Sequence, residues 1–180
     1  GTYTENVDVT KAVTIRSENG SAMCTASDPL DPVFHVTADY VKITGFTVTG
    51  ANTEDYLAGI YLEGVNHCDI SGNTVSTNYA GIQLMSSNGN TISGNTISNN
   101  DYGVYLYASS TNTISGNTAN SNYNFGIRLS GSNTNTISGN TVSNNGYGIY
   151  LESSSTNTIS DNTANSNYNS GIRLYRSNTN

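Results

Sequence analysis

The chain has 180 residues, of which 34% are hydrophobic and 11% charged, with a formal net charge of −7. A chain of this length buries the core of one domain, and an acidic chain without a Lys/Arg cluster has nothing to replace phosphate counterions, which excludes a nucleic-acid partner. Asn, Ser, Thr and Gly make up most of the rest, yet 13 Tyr against two Pro argue for an ordered fold over a disordered polar tract.

The charge is uneven. Glu5, Asp8, Glu18, Asp28, Asp31, Asp39, Glu54, Asp55, Glu63 and Asp69 all precede residue 70, which leaves the later part almost neutral. No run approaches the ~18 apolar residues that span a bilayer, so no membrane span is expected. No basic-then-apolar leader precedes Gly1.

From the N-terminus, Val13-Thr14-Ile15 starts a short strand. Asn19-Gly20-Ser21 is the one Asn-x-Ser/Thr sequon and makes Asn19 the glycosylation candidate. Val41 to Val48 alternates apolar and polar residues as a strand pair does, and Gly50 to Ala58, with Glu54, Asp55 and Tyr56, reads as a protruding turn. Two acidic residues in such a turn without calcium-loop spacing read as solvated.

From residue 70 the chain repeats. Ile70-Ser71-Gly72-Asn73-Thr74 recurs from Ile92, Ile114, Ile137 and Ile159, with spacings of 22, 22, 23 and 22 residues. Each copy is followed by a glycine-aliphatic-x-leucine strand, such as Gly81-Ile82-Gln83-Leu84 and Gly148-Ile149-Tyr150-Leu151. Apolar residues two apart between Gly/Asn turns fit short strands and no amphipathic helix. A lone repeat cannot bury its few aliphatics, but coils stacked ~4.8 Å apart place like over like and make a continuous core. The fold class is therefore all-β: a β-solenoid with three short strands per coil of about 22 residues. Residues 1–180 form one domain, with divergent coils over 1–69 and regular repeats over 70–180. Because the chain starts and stops inside the motif, the expectation is a part of a longer solenoid or a stack that pairs with other copies.

This register aligns Asn90, Asn112, Asn135 and Asn157 with Val41 and Cys68, and Asn73, Asn95, Asn117, Asn140 and Asn162 with Phe46. These asparagines are read as structural ladders that bind coil to coil. In the 23-residue coils the extra residue follows Ala119 or Ala164, and Tyr123 and Tyr168 are expected to cover the space those alanines leave.

Ile70 to Thr74 and its copies, with Gly45 to Gly50 and Ala58 to Leu62, resemble the parallel β-helix repeat proteins. These include the NosD-like and the carbohydrate-binding and sugar-hydrolysis types, found among surface proteins of methanogenic archaea. The resemblance implies a right-handed coil and an extracellular or cell-surface location, and it is poor for function.

A glycosidase or lyase needs carboxylates gathered on one face. The repeats supply no such pair: Glu63 near Asp69 is the closest approach, so no catalytic residue is assigned. Copper, which the NosD likeness implies, would draw on His35, His67, Cys24, Cys68, Met23 and Met85, and soft ligands suit it. Cys68 in an inward column reads better as a small hydrophobe, so no metal or other cofactor is assigned. Cys24 and Cys68 are too far apart in the stack for a disulfide.

The functional hint is an outward column between the aliphatic and the leucine: Tyr61, Gln83, Tyr105, Arg128, Tyr150 and Arg173, with Tyr107 and Tyr175 two places on. An exposed Tyr/Arg stripe suits sugar stacking or lateral packing on another solenoid, and equally a ladder that only stabilises itself. The leading expectation is a non-enzymatic structural protein of an envelope, sheath or filament, acting by lateral or end-to-end self-association. The alternative is a carbohydrate-binding or carbohydrate-processing module, with polysaccharide as partner. Copper handling comes third.

Overall fold

The structure is a computed structural model and describes residues 1–20, 22–52 and 57–180. Short strands follow one another around three parallel sheets, and each sheet gains one strand per turn of the chain. The first sheet holds Thr2–Thr4, Ala22–Thr25, Phe46–Thr49, Thr74–Ser76, Thr96–Ser98 and Thr118–Asn120, and bridges at Thr141 and Thr163 continue it. The second runs from Val7–Val9 through Phe34–Val36 and Ala58–Glu63 to Ser170–Tyr175, eight strands among the described residues. The third runs from Thr14–Arg16 to Thr158–Ser160. All pairings are parallel, which makes the chain a parallel β-helix. The divergent stretch fits the same frame, since Ile15 pairs with Ile43 and Ile43 with Ile70.

Ile70, Ile92, Ile114 and Ile137 stack in one dry column, and Val75, Ile97, Ala119 and Val142 in another. The aliphatic and leucine of the second sheet supply two more. Turns between sheets need left-handed backbone, which explains the glycine of Ile-Ser-Gly-Asn-Thr: Gly94 has φ +62°. The glycine before the long strand has another cause. A Cβ on Gly126 would lie 2.8 Å from Gly148 O and from Asn145 Nδ2, so neighbouring coils touch there backbone to backbone.

The asparagines face inward as aligned. Asn95 donates its backbone N–H and Nδ2 to Asn117 Oδ1, both at 3.0 Å, and Asn117 does the same to Asn140. The Asn90 column behaves alike. Two further ladders join them: Asn78, Asn100, Asn122, Asn145 and Asn167, and the hydroxyls of Ser87, Ser109, Ser132, Ser154 and Ser177.

The tyrosines of the long coils are a correction. Tyr123 and Tyr168 are 81% and 91% exposed and cover nothing. The extra residue widens the corner after the buried asparagine, so the ring leaves the stack. Ala119 is buried without them and lies beside Gly103, where an added Cβ would come within 3.3 Å of the alanine methyl.

Candidate functional site: the outer face of the second sheet

The register joins the stripe as read and extends it by two coils, in the order Asp8, His35, Tyr61, Gln83, Tyr105, Arg128, Tyr150 and Arg173. Its exposure differs from expectation. Gln83 is wholly buried and Tyr105 is 7% exposed. Cover comes from a neighbouring column at the start of the same strands: Tyr102, Phe125 and Tyr147. Their rings stack coil on coil at 5.4 and 5.3 Å and lean onto the stripe, with Tyr102 to Tyr105 at 5.3 Å and Phe125 to Tyr150 at 5.1 Å. The sequence carried this signal in the aromatic residues that directly precede Gly103, Gly126 and Gly148.

Arg128 closes the packing. Its guanidinium carbon lies 5.1 Å from the Phe125 ring centre and 5.2 Å from that of Tyr105, and Nη2 donates to Glu152 Oε2 at 2.8 Å. Half-buried cation–π contacts of this kind contribute about 1 kcal/mol each. Arg173 repeats the pattern over Tyr147 and Tyr150, in a more exposed setting. Tyr107 and Tyr175 are 48% and 38% exposed but do not adjoin, because Ser130 and Glu152 lie between them in the column.

The stripe's first coils hold a cluster that the sequence reading did not assemble. His35 Nε2 lies 2.9 Å from Glu63 Oε2 and Nδ1 lies 3.6 Å from Asp8 Oδ1, while the imidazole stacks on Tyr61 at 5.2 Å. Tyr61 donates its hydroxyl to Met85 Sδ at 3.3 Å, and burial, reinforced by the Glu63 carboxylate, pushes its phenol above the usual range. Glu63 and Asp69 are not a pair: Asp69 sits on the third sheet and accepts from Lys42 Nζ at 2.7 Å.

The candidate copper donors do not converge. Cys24 and Cys68 are buried free thiols on different parts of the coil, and Cys68 donates to Ala38 O at 3.5 Å. The His67 ring stacks on Tyr40, and Met85 takes the Tyr61 hydroxyl. Among the described residues no group of three His, Cys, Asp or Glu side chains could hold a metal ion, so these residues do not fit a copper centre. Asn19 is exposed, whereas Ser21 of its sequon and Glu54, Asp55 and Tyr56 of the 50–58 turn lie outside the described residues. Among the described residues no helix is long and apolar enough to cross a membrane.

Over 79 residues the chain is 37% identical to a cell surface glycoprotein of Methanothermus fervidus, covering 44% of this chain and 12% of that protein. Its fold recurs in solved structures, among them an epimerase and a tailspike protein. The periplasmic alginate epimerase AlgG superposes with a TM-score of 0.62 at 21% identity, over 96% of this chain and 46% of the epimerase. The Dettilon tailspike protein superposes with a TM-score of 0.69 at 20% identity, over 96% of this chain and 39% of the tailspike. The model of the family described as periplasmic copper-binding protein (NosD) matches residues 5–180, and the chain therefore belongs to the NosD family of parallel β-helix proteins.

Proposed function

We propose that the chain is a non-enzymatic structural segment of an extracellular cell-surface protein, a stiff solenoid that associates with further copies laterally or end to end. The observation that carries this reading is how the repeats use their polar groups. Four ladders consume the inward amides and hydroxyls along the axis, and the stripe packs under the neighbouring column of Tyr102, Phe125 and Tyr147. Outward, the first and third sheets present stacked Thr and Ser, such as Thr74, Thr96 and Thr118, or Thr91, Thr113 and Thr136. From residue 70 onward Asp101, Glu152 and Asp161 balance Arg128, Arg173 and Arg176, so repeats can approach repeats without net repulsion. The likeness to a cell surface glycoprotein supports the location.

Chemistry on a substrate finds little purchase: both ring nitrogens of His35 already face carboxylates, and Arg128 is held by Glu152. Light scattering of the whole chain over a wide concentration range tests the reading. Particle mass should grow with concentration, and a constant monomer mass throughout overturns it.

A further inference from the structure

The alternation of long and short coils builds a groove on the corner between the first and second sheets. Tyr123 and Tyr168 project from the long coils at that corner. They lie two coils apart, about 9.6 Å along the axis. Between them runs the short coil, where Gly146 has no side chain to fill the gap. Nor could it carry one, since a Cβ there would lie 2.5 Å from Asn124 O and 2.9 Å from Tyr123 O. The widened corner of one coil thus rests on the glycine of the next, and the two irregularities make one shape. The resulting groove has a volume of about 420 Å³. Asn124, Asn144 and Asn169 contribute amides to its lining.

We propose that this groove binds a neutral polysaccharide, with pyranose rings against the two tyrosines and ring hydroxyls on the asparagine amides. Tyrosines this exposed are poorly placed to stabilise the fold, and a flat aromatic face suits the C–H face of a sugar. A side-chain amide both donates and accepts, which is what a hydroxyl requires. Neutrality follows from the lining, which contains no Lys or Arg. Asp101 also accepts from Asn124 Nδ2 at 2.9 Å and puts a negative charge beside the groove. Each further pair of coils of this pattern would add one tyrosine to the row, so affinity would rise with repeat number. The inference goes beyond the structural reading and does not depend on self-association.

Affinity electrophoresis of the whole chain tests it, with barley β-glucan, galactomannan and hydroxyethyl cellulose as neutral probes and alginate as the acidic one. At least one neutral probe should retard the chain. The double variant Tyr123→Ala/Tyr168→Ala should bind it about tenfold more weakly or worse. Both positions are at the surface, so the variant keeps the fold, which its melting curve verifies. Tyr40→Ala, at a tyrosine 66% exposed elsewhere, should bind as the parent does. Lack of retardation by every neutral probe overturns the proposal, as does undiminished retardation of the double variant or stronger retardation by alginate.

Discussion

The coils before residue 70 and the repeats after it share one frame and fill it differently. Four inward positions that carry amides or hydroxyls throughout the repeats hold Phe46, Ala51, Val65 and Cys68 in the preceding coil. The change is completed in a single turn, and it shows who needs the amide. Phe46 donates its backbone N–H to Asn73 Oδ1 at 3.0 Å, Ala51 to Asn78 Oδ1 at 3.1 Å, Val65 to Ser87 Oγ at 3.1 Å and Cys68 to Asn90 Oδ1 at 2.8 Å. Each corner N–H points along the axis and takes its acceptor from the coil that follows. An apolar residue is therefore tolerated wherever the next coil supplies an amide or a hydroxyl. Earlier corners improvise: Ala22 donates to Ser17 Oγ, and Asn6 Oδ1 accepts from Ser27 and Asp28 while its Nδ2 serves three carbonyls. A regular ladder extends by repetition, whereas each improvised corner is a separate solution.

The largest expected effect comes from breaking a ladder in its middle. Asn117→Ala deprives Asn95 of the acceptor for its N–H and one amide donor, and leaves Ile92 O without its 2.9 Å partner. Buried unpaired groups cost about 1–3 kcal/mol each, so the variant should lose about 3–5 kcal/mol in urea unfolding. Phe46→Asn asks whether the ladder can be extended into the divergent part. The new amide would find Asn73 Oδ1 in place, but the ring that packs on Phe34 at 5.5 Å would be lost. Loss of a core phenyl costs about 3 kcal/mol, and one gained hydrogen bond returns about 1, so a net loss of about 2 kcal/mol is expected. A more stable Phe46→Asn variant would mean that the apolar filling of these coils contributes little.

The fold was legible because Ile-Ser-Gly-Asn-Thr recurs with small change, and the alternation inside it separates inward from outward positions. Two of the four ladders were readable for the same reason. Asn78 and Ser87 escaped because their columns run through turns rich in Asn and Ser, where composition offers no contrast. Alternation also told that Tyr105 and Arg128 point outward, but not that they are covered. That cover comes from Tyr102 and Phe125, three residues earlier on the same strand and reachable only once the sheet is built. The His35 cluster depends on a 28-residue step across the lengthened turn, which no fixed period predicts. Tyr123 was misplaced because the extra residue breaks alternation at the point where it was applied.

The smallest effect separates the two ways of filling a column. In Cys68→Asn the ladder gains a rung where no large side chain is lost. The thiol already donates to Ala38 O as an amide would, and Asn90 Oδ1 stands ready. Near neutral pH the variant should lie within about 1 kcal/mol of the parent, the worth of one exchanged hydrogen bond. Alkaline pH should part them. Desolvation by burial, with a further push from Asp39, holds the Cys68 thiol above its ordinary value of 9.0. A thiol raised in the folded state keeps its proton while the unfolded chain releases one. Its stabilisation is therefore complete below about pH 9 and lost as pH rises toward the folded value. The amide does not titrate, so the Asn variant should gain on the parent above pH 9 in urea melts compared at each pH. Equal pH dependence in both chains would show that Cys68 contributes nothing as a buried thiol and that its column is indifferent to what fills it.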